Sequence, residues 1–349
     1  MSKGGLNKSE LIVSFVRNNP SSSSKEIHEG LEIGVGYATL KRALQILISE
    51  NLIIANGKGK ATKYEIDPAF EVIRPIDIDQ YFEKEIDERE IRNSFNQTLI
   101  IETLNKISLF TKEELSHLNN LHNQYKANIS KLSNTEYNNE MERLAIDLSW
   151  KSSQIEGNTY SLLETERLLK EKETAEGKTK DEATMLLNHK EALDFIIANP
   201  SYVSPLSISG IEDIHSILIK DLNISRNVRN YRVGISATNY KPLDNEFQIR
   251  EALHDMCITI NNQENVFVKS LLVLVLISYI QPFMDGNKRT ARIISNAILI
   301  FNNYCPISFR TVNSVEYKKA MLIFYEQNNI NAFKRIFIDQ FEFAVRTYF

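Results

Sequence analysis

Seven consecutive apolar residues, Leu271–Ile277, place the strongest constraint on how this chain folds. Lys269 and Ser270 precede them, and the run is far shorter than the ~20 residues that span a bilayer, so it reads as a helix of a protein core. That helix ends at Pro282, because the residue before a proline is pushed out of the α region. A tight loop follows through Phe283, Met284, Asp285, Gly286 and Asn287, with Gly286 free to take dihedrals closed to other residues. A second helix begins near Arg289, with an apolar face of Ile293, Ile294, Ala297 and Phe301. A glycine loop feeding a helix N-terminus is an anion site, since unpaired N–H groups and the helix dipole both favour negative charge. Arg289 and Arg292 are three apart and share a face of the first turn, where two guanidinium groups suit a polyphosphate. Asp285, at the mouth, is placed to hold a divalent metal bridging phosphate oxygens. Loop chemistry alone is met equally well by a capped helix with surface arginines and a turn aspartate.

From about Thr98 onward the pattern is almost wholly helical, with periodic apolar residues around 98–107, 111–133, 135–156, 161–173, 180–198, 206–220, 246–262, 266–280, 289–303, 314–328 and 331–348. The exception is Val228–Pro242, β-prone with helix-breaking ends, which reads as a short hairpin. A chain of 349 residues divides into about two domains. Residues 1–67 read as the smaller one: helices at Ser9–Asn19, from the Ser21–Ser24 caps to Gly30, and at Tyr37–Asn51, then a hairpin around Asn56-Gly57. Three short helices and a hairpin resemble a winged helix-turn-helix module. Its functional reading is DNA binding through residues 37–64, and its alternative is a protein-interaction or oligomerisation wing. Nine basic against seven acidic residues over 1–67 make this unit only slightly positive. Residues 68–97 turn acidic and contain Pro68 and Pro75, as in a linker or an arm lying on the next domain, and 98–349 form the main domain.

The stretch Pro282-Phe283-Met284-Asp285-Gly286-Asn287-Lys288-Arg289-Thr290-Ala291-Arg292 resembles the signature loop of Fic-domain proteins, HPFx(D/E)GN(G/K)RxxR. Most Fic enzymes transfer AMP from ATP to a hydroxyl side chain of a target protein. The resemblance implies a mainly α Fic fold, with ATP and Mg²⁺ as cofactors. It also implies that Phe283 anchors the loop, that Asp285 binds Mg²⁺, and that Asn287 with the loop amides around Gly286 holds the α-phosphate. Arg289 and Arg292 then take the β- and γ-phosphates. Ser152-Ser153-Gln154-Ile155-Glu156-Gly157 resembles the family's inhibitory motif, (S/T)xxxE(G/N), with Ser152, Glu156 and Gly157 in place. Met141, Leu144, Leu148, Ser152 and Ile155 share one helical stripe and Gly157 ends the helix. Glu156 therefore sits at a C-terminal end, where a carboxylate gains nothing from the dipole and needs a cation. By resemblance that cation is Arg292, taken from the γ-phosphate. The family also carries a β-hairpin flap that clamps a target's main chain; Val233–Pro242 is its counterpart, with Arg232 just ahead.

Two departures matter. The family's general base is a histidine where this chain has Gln281, and an amide cannot take the proton from an attacking hydroxyl. Lys288 stands where many members have glycine: it can crowd the phosphate cradle or add a contact to it. The phosphate-transferring Doc branch has lysine there too but usually lacks counterparts of Gly286, Arg292 and Glu156, so adenylylation-type geometry is favoured. His215 fits a recurrent, structural position. The expected protein is an adenylyltransferase autoinhibited by Glu156 and weakened at Gln281, or else a catalytically silent nucleotide-binding regulator acting through the winged helix. A net charge of −4 gives no chain-wide nucleic-acid or membrane footprint, and two cysteines, Cys257 and Cys305, suit buried thiols in a reducing cytoplasm. A homodimer stays open.

Overall fold

The computed structural model describes residues 8–31, 36–50 and 52–349. Two units separate, Met1–Arg74 and Pro75–Phe349.

In the first unit α1 (Lys8–Asn18), α2 (Ser24–Gly30) and α3 (Tyr37–Ser49) precede a small antiparallel sheet. Ser23 caps α2 with a reciprocal bond to Glu26, as the serine run suggested. Among the described residues the sheet has three strands, β1 (Ser22–Ser23), β2 (Ile53–Asn56) and β3 (Lys63–Ile66), in the order β1-β3-β2. Ile53 pairs with Ile66 and Asn56 with Lys63, so Asn56 is the last strand residue rather than part of a two-residue turn. The connection is the longer stretch 57–62. Ile12, Val16, Ile27, Leu40, Leu44, Leu47 and Ile53 make the core, and α3 supplies Leu40, Leu44 and Leu47 at helical spacing. The final residue of the expected third helix, Asn51, lies outside the described residues. A short α4 (Pro68–Ile73), capped by Asp67, closes the unit.

The second unit starts with the acidic arm, which holds α5 (Ile78–Glu83). The expected helix near residue 98 is a π-helical stretch, Leu99–Leu104. Its wider turns align residues five apart, which puts Leu99 and Leu104 together in the core. Among the described residues ten α-helices follow: α6 (Lys112–Ile129), α7 (Asn134–Ile155), α8 (Leu162–Glu171), α9 (Lys180–Ala198), α10 (Ile208–Leu218), α11 (Glu246–Asn262), α12 (Val266–Ile280), α13 (Asn287–Phe301), α14 (Ser314–Gln327) and α15 (Asn331–Tyr348). α12 is buried from Ser270 to Ile280, as a helix apolar all round must be. α13 lies along it; α9 and α10 flank α13, and α11 and α14 flank α12. Among the described residues no helix is long and apolar enough to cross a membrane.

The expected hairpin over Val228–Pro242 does not form: no strand runs through these described residues, and Ser236 and Ala237 make a bare turn with Ala237 at φ +66°. Its polar groups are taken by the arm instead. Arg89 Nη2 donates to the Ala237 carbonyl at 2.9 Å, Asn239 Nδ2 to Asp87 at 2.9 Å, and the Lys241 amide to the Asn93 carbonyl at 3.2 Å. A single parallel bridge joins Ser94 and Lys241. With these acceptors and donors already matched, the segment has no need to pair with itself.

Candidate functional site

The turn between α12 and α13 is held from three sides. Phe283 is fully buried and stacks on His215 of α10, ring centroids 3.6 Å apart and planes 4° from parallel. His215 Nε2 donates to the Asp285 carbonyl at 2.9 Å. Burial lowers the His215 pKa to about 4, so the ring is neutral at pH 7 and one nitrogen carries the proton for this bond. Gly286 adopts φ +82°, and a Cβ there would stand 3.4 Å from the His215 ring on top of the backbone strain. Asn287 closes the loop: Oδ1 accepts from the Phe283 amide at 2.9 Å, and Nδ2 donates to the Phe283 carbonyl and to Gln281 Oε1. Its amide is spent within the loop, so what it offers an anion is the loop's shape rather than its side chain.

Gln281, at the position that the resemblance gives to a general base, is equally tied. It sits left-handed at φ +52° as the residue that caps the C-terminal end of α12, a strain of about 1–2 kcal/mol outside glycine. Nε2 donates to the Ser278 carbonyl at 2.6 Å and reaches Tyr325 Oη at 3.5 Å, while Oε1 accepts from Asn287. Arg229 clamps the backbone: its Nε donates to the Gln281 carbonyl at 2.6 Å and its own amide to the Pro282 carbonyl at 3.0 Å. Sequence reasoning pointed to Arg232, which is exposed and paired with Asp244. Nothing in the stretch Val228–Arg232 marks Arg229 as the buried one.

Gly286 offers no side-chain cap, so the first amides of α13 open toward a cavity of about 390 Å³. Glu156, Ile235, Asp285, Lys288, Met321 and Tyr325 are among the residues that line it. Arg289 is buried; Nη2 donates to Asp285 Oδ2 at 3.1 Å, while Nε and Nη1 have no partner. Burial pushes its pKa down against the pull of Asp285, so this guanidinium is under-compensated. Arg292 is also wholly buried, yet its pKa rises, because Tyr317 and Glu156 outweigh the burial. Arg292 Nε donates to Ser152 Oγ at 2.8 Å, and Nη2 donates to the Ser152 carbonyl at 3.0 Å and to Glu156 Oε1 at 2.9 Å. The guanidinium also lies over the Tyr317 ring, 5.3 Å from its centroid.

Ser152 and Glu156 are one helical turn apart and grip the same guanidinium. Gly157 turns the chain away at φ +101°, a value that favours glycine. Lys288 Nζ reaches the other glutamate oxygen at 3.3 Å, a contact absent from the sequence-based expectation. Burial raises the Glu156 pKa, but Arg292 and then Lys288 overcome it and hold the carboxylate below its usual range. His189 of α9 also went unremarked in the sequence. It is fully buried with both ring nitrogens unpartnered, and burial, helped by the charges of Arg292 and Arg289, keeps it neutral.

For a metal, Asp285 is the one motif carboxylate that faces solvent, and among the described residues no three metal-ligating side chains cluster. An all-protein cage is therefore excluded there. A Mg²⁺ that arrives on phosphate oxygens needs only one or two carboxylates, and Asp285 fits that requirement.

The site is thus a buried polar loop opening on a helix N-terminus, with two buried arginines behind it. Residues 205–299 match the Fic/DOC family. The protein adenylyltransferase fic-1 of Caenorhabditis elegans is 25% identical over 175 residues, which cover 48% of this chain and 34% of that protein. The protein adenylyltransferase Fic of Nematostella vectensis is 28% identical over 183 residues, covering 48% and 40%. The chain thus spans about a third of the length of the curated relatives it matches. Among solved structures, Fic-1 of C. elegans superposes with a TM-score of 0.60 at 21% identity, covering 68% of this chain and 72% of that one. A Fic-domain protein of Bacteroides thetaiotaomicron gives 0.55 at 18% identity, covering 66% and 94%. The helical unit shares the Fic fold. Glu156 lies N-terminal to the matched Fic/DOC segment and reaches into it.

Proposed function

We propose that this chain binds ATP with Mg²⁺ at the α12–α13 turn in the manner of a protein adenylyltransferase, and that Glu156 holds the site closed. The observation that carries the reading is the bond between Glu156 Oε1 and Arg292 Nη2 at 2.9 Å. A carboxylate on the deepest cation of a phosphate site takes the place of a phosphate, so ATP enters its productive pose only once Glu156 leaves. With Glu156 away, the α13 amides and Arg289 meet the phosphate chain, and Arg292 takes its far end. Mg²⁺, when bound at Asp285, supplies charge neutralisation between phosphate oxygens. The loop 233–242, which lines the cavity with Gly234–Ala237, receives a target protein bearing a Ser, Thr or Tyr hydroxyl. Attack by that hydroxyl lacks a base: Gln281 has no proton-accepting nitrogen, and its amide is tied to Ser278 and Asn287. The loss is worth ~10²–10⁴ in rate, leaving positioning and electrostatics to support a slow transfer.

A second reading takes the same pocket as a nucleotide sensor for a winged-helix module. The immobilised Gln281 favours it, as does an exposed α3 face carrying Thr39, Lys41, Arg42 and Gln45, together with an exposed Lys58. Residues 37–64 then form the surface for DNA.

Incubation of the wild type, Glu156→Gly and Glu156→Gly/Gln281→His with labelled ATP and Mg²⁺ separates the two. Strong labelling of the double variant, with little in the wild type, supports the transferase; ATP bound with no labelling in any protein supports the sensor. Absence of ATP binding in all three eliminates both.

A further inference from the structure

Lys288 and Arg292 stand at i and i+4 of α13, on one face close to its N-terminus. Like charges at that spacing repel, and cations are disfavoured at the positive end of a helix dipole. An anion between the two relieves both costs. In the closed protein that anion is Glu156, and it serves the two cations with separate oxygens: Oε1 to Arg292 and Oε2 to Lys288. The cations differ in their other ties. Arg292 is sealed from solvent and anchored on the Ser152 hydroxyl and carbonyl as well. The Lys288 side chain is 24% exposed, lines the cavity, and hangs on a flexible four-carbon stem. It is free to turn when the carboxylate goes.

We propose that Lys288 is a two-position cation: it pins Glu156 in the closed state and transfers to a terminal phosphate of an incoming nucleotide once Glu156 is displaced. This rests on the nucleotide reading above and adds a residue whose effect depends on the state of the latch. It also sets a requirement on the ligand. To displace one carboxylate that satisfies two cations, a ligand must bring anionic oxygens to both at this depth, which the terminal phosphate of a nucleoside polyphosphate does and the single phosphate of AMP, held at the loop amides, does not.

The test is ATP binding by calorimetry on the full chain in four forms: wild type, Lys288→Met, Glu156→Gln and the double variant. In the Glu156→Gln background, Lys288→Met is expected to weaken ATP binding about tenfold, the size of one charge-assisted hydrogen bond, and to leave AMP binding unchanged. In the wild-type background the same substitution is expected to change ATP affinity less than about threefold, or to tighten it, since the loosened latch offsets the lost phosphate contact. Equal weakening in both backgrounds overturns the proposal, and so does no weakening when Glu156 is gone. Melting temperatures without ligand give a second readout. Lys288→Met should lower the melting temperature by a few degrees with Glu156 present and leave it unchanged or raise it in the Glu156→Gln background, where only the repulsion with Arg292 is removed. A drop of the same size in both would show that Lys288 does not hold Glu156. If Glu156→Gln binds no nucleotide at all, the nucleotide reading fails and the phosphate role of Lys288 falls with it. The melting comparison still decides whether Lys288 pins the carboxylate.

Discussion

Two buried glutamate–arginine clusters in the helical unit use the same chemistry for different ends. Glu326 of α14 is completely buried against Arg89, 3.1 Å away, and Tyr81 Oη donates to its second oxygen at 2.6 Å. The Arg92 amide adds a bond to the Glu326 carbonyl. That cluster staples the acidic arm to α14, and neither Glu326 nor Arg89 lines the 390 Å³ cavity. Glu156 also satisfies two partners, but its side chain keeps 18% exposure and lines the 390 Å³ cavity. It sits past the end of α7, where Gly157 turns the chain. The pair chemistry does not separate a staple from a latch. What does is the presence of somewhere for the carboxylate to go and something able to replace it.

Four measurements break or sharpen that contrast. The largest effect belongs to the staple. Glu326→Ala strands Arg89 without a counter-charge and should cost about 3–5 kcal/mol in urea unfolding, a deficit relative to wild type that ATP leaves unchanged. Recovery by ATP would dissolve the distinction. Next is the acid sensitivity of the pocket side. Burial holds the folded-state pKa of His215 at about 4 against 6.5 for the free side chain. A depressed histidine contributes stability above its unfolded pKa and loses it as pH falls. About 3 kcal/mol should therefore disappear between pH 6.5 and 4, and His215→Gln should flatten that slope. His189 adds to the loss in the same direction.

Smaller is the cost of opening the latch. Glu156→Gln keeps an acceptor oxygen and leaves Ser152 on Arg292, so about 1–2 kcal/mol is expected, restored by ATP through ligand linkage. Failure of ATP to restore it would make Glu156 a second staple. Smallest is the pH dependence of that deficit. The Glu156 carboxylate titrates below its ordinary 4.5, so its stabilisation is present above that value and lost on acidification. Wild type and Glu156→Gln should converge below pH 4.5, with the histidine contribution cancelling between them.

Where the sequence read well, local rules were enough. The ends of α7, α8 and α9 follow from serine and threonine caps with a glutamate three residues on, and α12 follows from its unbroken apolar run. The loop from Phe283 to Arg292 was legible because a glycine turn and a helix start are encoded within ten residues. The failures share a cause. Val228–Pro242 has strand-like composition but its partner is the arm, more than a hundred residues earlier, so a hairpin was the wrong local guess. The same segment hides which arginine is buried, Arg229 or Arg232, because only contact with the Gln281 and Pro282 carbonyls distinguishes them. Lys288 was visible as a charge in the cradle, and its spacing from Arg292 was there to be counted. Its engagement with Glu156 was not.

By itself, the sequence determined where most of the helices lie, and that a glycine-bent turn feeds basic residues into a helix start. These depend on propensities and caps acting over a few residues. Only the tertiary structure decided that Glu156 meets Arg292 and Lys288, partners 136 and 132 positions away, and that Gln281 spends its amide inside the loop. Such pairings rest on how α7 packs against α13, and helix periodicity carries no information about which of many compatible faces is chosen.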